Sequence, residues 1–157
     1  MITVSSILHQ TSNAKVAHTQ WVRRADHLIS GLPVEKKFIP LDPTECTFGR
    51  WFYSQGSQLR TLKSLKEISD AIEKQHDKLH DIYGKIYKIY FLMPQKRTLL
   101  HKILTFNSKE VTKAEKEEAK GYYKTLSETS DLLLYLVGQF EIEIRELGYH
   151  NAFKDFH

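Results

Sequence analysis

One cysteine, two methionines, four prolines and seven glycines are all that 157 residues contain of these types. Each scarcity excludes something. A lone Cys46 cannot close an internal disulfide, so nothing points to an oxidising compartment and a cytoplasmic protein is expected. The longest apolar run, LLLYLV at 132–137, falls far short of the ~20 residues a membrane-spanning helix needs. The opening MITVSSILHQ lacks the basic start, long apolar stretch and small-residue cleavage site of a secretion signal. Neither sign of charge dominates, because 23 Lys and Arg are interspersed with 19 Asp and Glu for a net +4. That balance gives no reason to expect a nucleic-acid partner. A hydrophobic fraction of 41% over this length suits one domain, 1–157, with its own core.

With helix breakers so few, their clustering carries information. Pro33, Pro40 and Pro43 mark one loop from Gly31 to about Asp42, with long helical tracts on either side. Upstream, Ala14, His18, Trp21, Ala25 and Leu28 recur at steps of three and four, and Gly31 is the expected stop. DPTE at 42–45 reads as a helix start, with Asp42 as cap, Pro43 in first position and Glu45 as the reciprocal carboxylate. A short second helix is then expected to end near Gly56.

A third stripe runs Leu62, Leu65, Ser69, Ile72, His76, Leu79, Tyr83, Ile86, Tyr90 and Met93, with Pro94 as its interruption. NSKE at 107–110 offers Asn107 and Glu110 as the capping pair of a final helix. That helix would turn Tyr122, Leu126, Thr129, Leu133, Leu136, Phe140, Ile144 and Leu147 inward and close at Gly148. No strand alternation or repeat appears. The expected fold is all-α, an antiparallel four-helix bundle with a short additional helix carrying the cysteine.

On these stripes and beside them, four residues have metal-binding chemistry. His76 and His80, four apart in HDKLH, share one helix face, and His18 lies on an apolar stripe where an imidazole must find a partner. Cys46 falls at a helix start, where amide groups and the helix dipole favour a thiolate. One sulfur and three nitrogens suit tetrahedral Zn²⁺. Histidines 9, 27, 101, 150 and 157 show no such grouping and read as surface or packing residues. Trp21, Phe48 and Trp51 read as an aromatic shell around the site, and Gly49 as the point where a neighbouring helix backbone comes close. Four protein ligands leave no open position for substrate, and HDKLH lacks the glutamate of H-E-x-x-H, so an enzyme is not expected.

Written as a pattern, the chain has His18-x-x-Trp21, Cys46-x-Phe48-Gly49-x-Trp51 and His76-x-x-x-His80, with 24 residues in each gap. This resembles the chemoreceptor zinc-binding domain of bacteria over roughly residues 10–147. The resemblance implies a helical bundle, often a homodimer, holding one zinc through His18, Cys46, His76 and His80. It implies a regulatory role in signal transduction of the chemoreceptor or diguanylate cyclase type, sensing zinc or oxidants such as hypochlorous acid. Two features depart from the family. Residues 94–113 lengthen the last connection, and no output domain is present, so a stand-alone member would act on a signalling partner in trans, be a fragment, or put the zinc to another use.

Two other readings compete. A hemerythrin-like di-iron bundle also uses inward histidines, but needs bridging carboxylates and has no use for Cys46. An interaction module with a purely structural zinc would draw on FLMPQKRTLLHKILTF (91–106), basic and apolar at helical spacing. That segment would dock a partner or an anionic membrane surface, or pack on the bundle or across a dimer.

Overall fold

Helical periodicity becomes helical structure throughout the computed structural model, which describes residues 2–35, 40–93 and 110–149. Among the described residues there are four α-helices: α1 (Val4–Ile29), α2 (Thr47–Phe52), α3 (Lys63–Tyr87) and α4 (Lys113–Tyr149). A 3₁₀ helix, Gln55–Thr61, links α2 to α3, and a π-helical turn, Lys88–Leu92, continues α3. The protein is an all-α helical bundle, and no strand occurs among the described residues.

Helix α4 is the common partner of the other two long helices. Its C-terminal end meets the start of α1, where Thr11 and Lys15 reach Glu141 at 2.7 Å each. The same end lies beside Leu62 and Lys63 at the start of α3, while Lys85 near the end of α3 sits over the Tyr122 ring. Hence α4 runs antiparallel to both α1 and α3. The space between α1 and α3 is filled by α2 and the 3₁₀ helix, and this corner holds the site.

The inward stripes match the helix period. In α1 the buried set is Ile7, Thr11, Ala14, His18, Trp21, Ala25 and Leu28, so the apolar face extends two turns further upstream than expected. In α3 it includes Leu65, Ser69, Ile72, His76, Leu79, Tyr83 and Ile86, and also His80. In α4, Val137 is buried where Leu136 was expected and Leu136 is half-buried, because the face drifts by one position over so long a helix.

The helix ends correct four expectations. DPTE does not start a helix: Asp42 Oδ1 accepts from the Thr44 amide at 2.8 Å, closing a turn one step earlier. The α-helical part of the second element ends at Phe52 and passes into the 3₁₀ helix rather than continuing to Gly56. Thr112 and Glu115 form the capping pair of α4, the Thr112 amide donating to Glu115 Oε2 at 2.8 Å. Asn107, Pro94 and most of 91–106 lie outside the described residues. Gly148 sits inside α4, where a Cβ would come 2.5 Å from the Val4 side chain, so it serves close packing of helix ends and does not terminate the helix. Gly31 does end α1, at φ +79°, with Leu32 donating to the His27 carbonyl and Gly31 to that of Leu28.

Candidate metal centre

The sulfur reaches the site from the residue that caps a short helix. Cys46 is the N-cap of α2, with Sγ accepting from the Gly49 amide at 3.2 Å. A thiol that takes this donor leaves no need for Asp42 or Glu45 at the helix start. Gly49 is required for a reason that differs from the expected one. A Cβ there would fall 1.7 Å from the Pro43 carbonyl oxygen, so the close backbone belongs to the preceding turn and not to a neighbouring helix.

The three histidines come from facing helices. His18 on α1 is 5% exposed, and His76 and His80 on α3 are 0% and 2% exposed. His18 Nδ1 lies 2.8 Å from the Ala14 carbonyl, and His80 Nδ1 lies 3.1 Å from the Leu41 carbonyl. A carbonyl only accepts, so both rings carry their proton on Nδ1 and keep Nε2 as a free donor atom. His76 sits between the others, its Nε2 3.2 Å from Cys46 Sγ and 3.2 Å from His80 Nε2.

One ligand atom from each of His18, Cys46, His76 and His80 lies within 4.8 Å of all the others. A tetrahedral zinc with Zn–N of ~2.0–2.1 Å and Zn–S of ~2.3 Å has donor–donor edges of roughly 3.3–3.6 Å. The 3.2 Å separations around His76 are close to those edges. The donor set also matches zinc in softness and charge, and the site's own carbonyls orient two of its rings. The residues present therefore fit the metal. The cluster contains no carboxylate, which a bridged di-iron pair would need.

Burial dominates the protonation of the site. It lowers all three imidazoles: His76 to about 2, with His18 and His80 contributing further, and His80 to about 4, against a usual value of 6.5. His18 is also lowered by burial, against the opposing pull of the Ala14 carbonyl. Burial pushes the Cys46 thiol up, outweighing the Gly49 and Phe48 amides. The expectation of a thiolate held by the helix start alone is thus corrected. The neutral imidazoles are ready donors, whereas the thiol would release its proton to solvent as a cation took its place on the sulfur.

These shifts make the metal-free chain acid-sensitive. An unfolded histidine takes up a proton near pH 6.5, while the folded site resists until much lower pH. The stabilisation is therefore complete above 6.5 and is lost as pH falls below it. At pH 5 each histidine that stays neutral costs roughly 2 kcal/mol, at ~1.4 kcal/mol per pH unit. Urea midpoints of chelator-treated protein should fall clearly between pH 7.5 and pH 5; equal midpoints would contradict the burial of the histidines.

Aromatic rings enclose the site unevenly. Trp21 lies 4.3 Å from His80 and stacks on Tyr83 at 4.8 Å, and Phe48 packs edge-on to His76 at 5.1 Å and to His18 at 5.7 Å. Trp51 sits one layer out, 5.9 Å from Phe48, and closes over Gly56. Sequence reasoning missed the carbonyl partners, since backbone oxygens leave no residue signature. It also missed Tyr53, whose hydroxyl donates to Asp77 at 2.9 Å and ties α2 to α3 beside the site.

A family model described as the chemoreceptor zinc-binding domain matches residues 18–87, a stretch that begins at His18 and contains all four candidate ligands. No curated protein and no solved structure gives a significant match. No helix among the described residues is long and apolar enough to cross a membrane.

Proposed function

We propose that this protein is a regulatory zinc domain whose Cys46 is the responsive ligand, a reading supported by the match of residues 18–87 to the family model of the chemoreceptor zinc-binding domain. His18, Cys46, His76 and His80 would hold one zinc, which when bound supplies the positive charge that keeps the sulfur as thiolate. Burial makes Cys46 costly to deprotonate without that charge. Among the four ligands only the sulfur accepts an oxygen atom readily, so sensing falls to Cys46. With hypochlorous acid, the sulfur's electron pair bonds to chlorine and hydroxide leaves. Water then displaces chloride to give a sulfenic acid, a poorer donor. A fall in available zinc would release the same ligand.

The observation that carries this reading is the approach of four donor atoms from three separate segments to within 4.8 Å. Loss of Cys46 from the set frees α2 from α3 at one of its attachments, and that change is the signal passed on. The output is a change of packing in a homodimer or against a signalling partner of the chemoreceptor or diguanylate cyclase type, in the cytoplasm. Catalysis is not part of this reading, because the four donors complete a tetrahedron.

The test is zinc content per chain in protein purified without added metal. The wild type should carry close to one equivalent, and Cys46→Ala should retain it much more weakly towards a chelator. Zinc retention that is indifferent to Cys46 would reduce the metal to a structural role and end the sensor reading.

A further inference from the structure

Cys46 is half-buried, while the three histidines beside it are buried. A cleft of about 210 Å³ opens between α1 and the segment leading into α2 and is lined by Cys46. The buried His18 and Phe48 form its floor, and the exposed Ala17, Gln20 and Thr47 form its rim. A second cleft approaches the site from the other side of the same segment. It is lined by His80 and by Gly84, but not by Cys46.

We infer that the first cleft is the entry route to Cys46, and that it admits small electrophiles of a few atoms while excluding peptide-sized disulfides. This deepens the proposed function, on which it rests, by assigning the chemical class that the site can sense. The reasoning is steric. Phe48 is 3% exposed and His18 5%, so the cleft is closed at its floor. Ala17 is the smallest side chain at the rim, and it lies beside His18 in sequence without sharing its buried face. An oxidant reaching the sulfur by this cleft passes between Ala17, Gln20 and Arg24 of α1 on one side and Pro40 and Thr47 on the other. A reagent with a peptide arm on each side of its reactive sulfur meets α1 and the 40–47 segment before it meets Cys46.

The experiment measures thiol modification of the metal-free full-length chain, so its readout does not depend on zinc. Two reagents are compared, each rate being taken relative to the urea-unfolded chain. With methyl methanethiosulfonate, the thiolate attacks the methylthio sulfur, the methylthio group is transferred and methanesulfinate leaves. With glutathione disulfide, the thiolate attacks one sulfur and a glutathione thiolate leaves. The folded wild type should be protected from glutathione disulfide at least about tenfold more than from the small reagent.

Ala17→Phe should slow the small reagent by about tenfold with zinc content unchanged, and Gln20→Ala should speed glutathione disulfide. Gly84→Leu, placed in the second cleft where a Cβ meets nothing within 4 Å, should change neither rate. Unaltered small-reagent rates in folded Ala17→Phe would overturn the route. Should Ala17→Phe fail to fold, an unaltered glutathione disulfide rate in Gln20→Ala would overturn it instead. Failure of the zinc reading would appear separately, as wild-type protein without zinc.

Discussion

Replacing His76 with leucine is expected to abolish zinc retention while making the metal-free protein more stable. The two effects have one origin. His76 is fully buried and touches both Cys46 and His80, so it is the central donor of the set. Its outer nitrogen, Nδ1, is buried with no hydrogen-bond partner, unlike the Nδ1 atoms of His18 and His80. Leaving a buried polar atom unpaired costs about 1–3 kcal/mol, and leucine removes that cost while filling similar space. For a chain of this size, that gain corresponds to a rise in melting temperature of roughly 2–4 °C per kcal/mol.

Loss of an outer-sphere partner alone typically weakens a metal site 10–100-fold, so loss of this ligand should exceed about 100-fold. Competition with a chelator and a melting curve of chelated protein together check both halves. A leucine variant that keeps its zinc would remove His76 from the ligand set. One that melts lower without metal would show that the imidazole is a structural core residue.

Gly49→Ala should damage the site almost as severely, although Gly49 touches no metal. The added Cβ would meet the Pro43 carbonyl oxygen at 1.7 Å and its carbon at 2.9 Å, separations that force the backbone to move. The displaced turn carries Cys46 on one side and the Leu41 carbonyl that orients His80 on the other. Two of four ligands are thus disturbed by one methyl group. Overpacking of this kind costs about 1–3 kcal/mol, and the zinc affinity should fall at least about tenfold. Gly121→Ala is the matching control. Its Cβ meets nothing within 4 Å on an exposed helical face, and it should stabilise the chain by about 0.5–1 kcal/mol. Equal zinc affinity in Gly49→Ala and wild type would mean that the turn yields without moving Cys46.

What the sequence made legible follows from where the information resides. Stripes such as Leu65–Ser69–Ile72–His76 are written in side-chain identity at fixed spacing, so the inward faces of α1, α3 and α4 could be read directly. The grouping of His18, Cys46, His76 and His80 was legible in a similar way, because His18 and His76 lay on inward stripes, His80 lay four residues from His76 on one helix face, and Cys46 lay near an expected helix start. Helix boundaries were less so, since Asp42, Asn107 and Thr112 are all competent caps and tertiary packing chooses among them. The Ala14 and Leu41 carbonyls had no signal at all, being the same chemical group at every position. The protonation of Cys46 was misjudged because burial opposes the helix start, and burial is a property of the fold rather than of the hexapeptide.

The three segments that meet at the site are far apart along the chain, with α1, the 40–46 segment and α3 converging on one point. In a protein with two well-placed cysteines, evolution can fasten such segments covalently, but this chain has one. A metal held by His18, Cys46, His76 and His80 would act as a staple that closes two loops of roughly thirty residues each, and a cross-link of that span restricts the unfolded chain by about 3–4 kcal/mol. Unlike a disulfide, this staple opens when a ligand is lost and needs no oxidising surroundings to form. The fold's resistance to unfolding would then rise and fall with the state of a single sulfur atom.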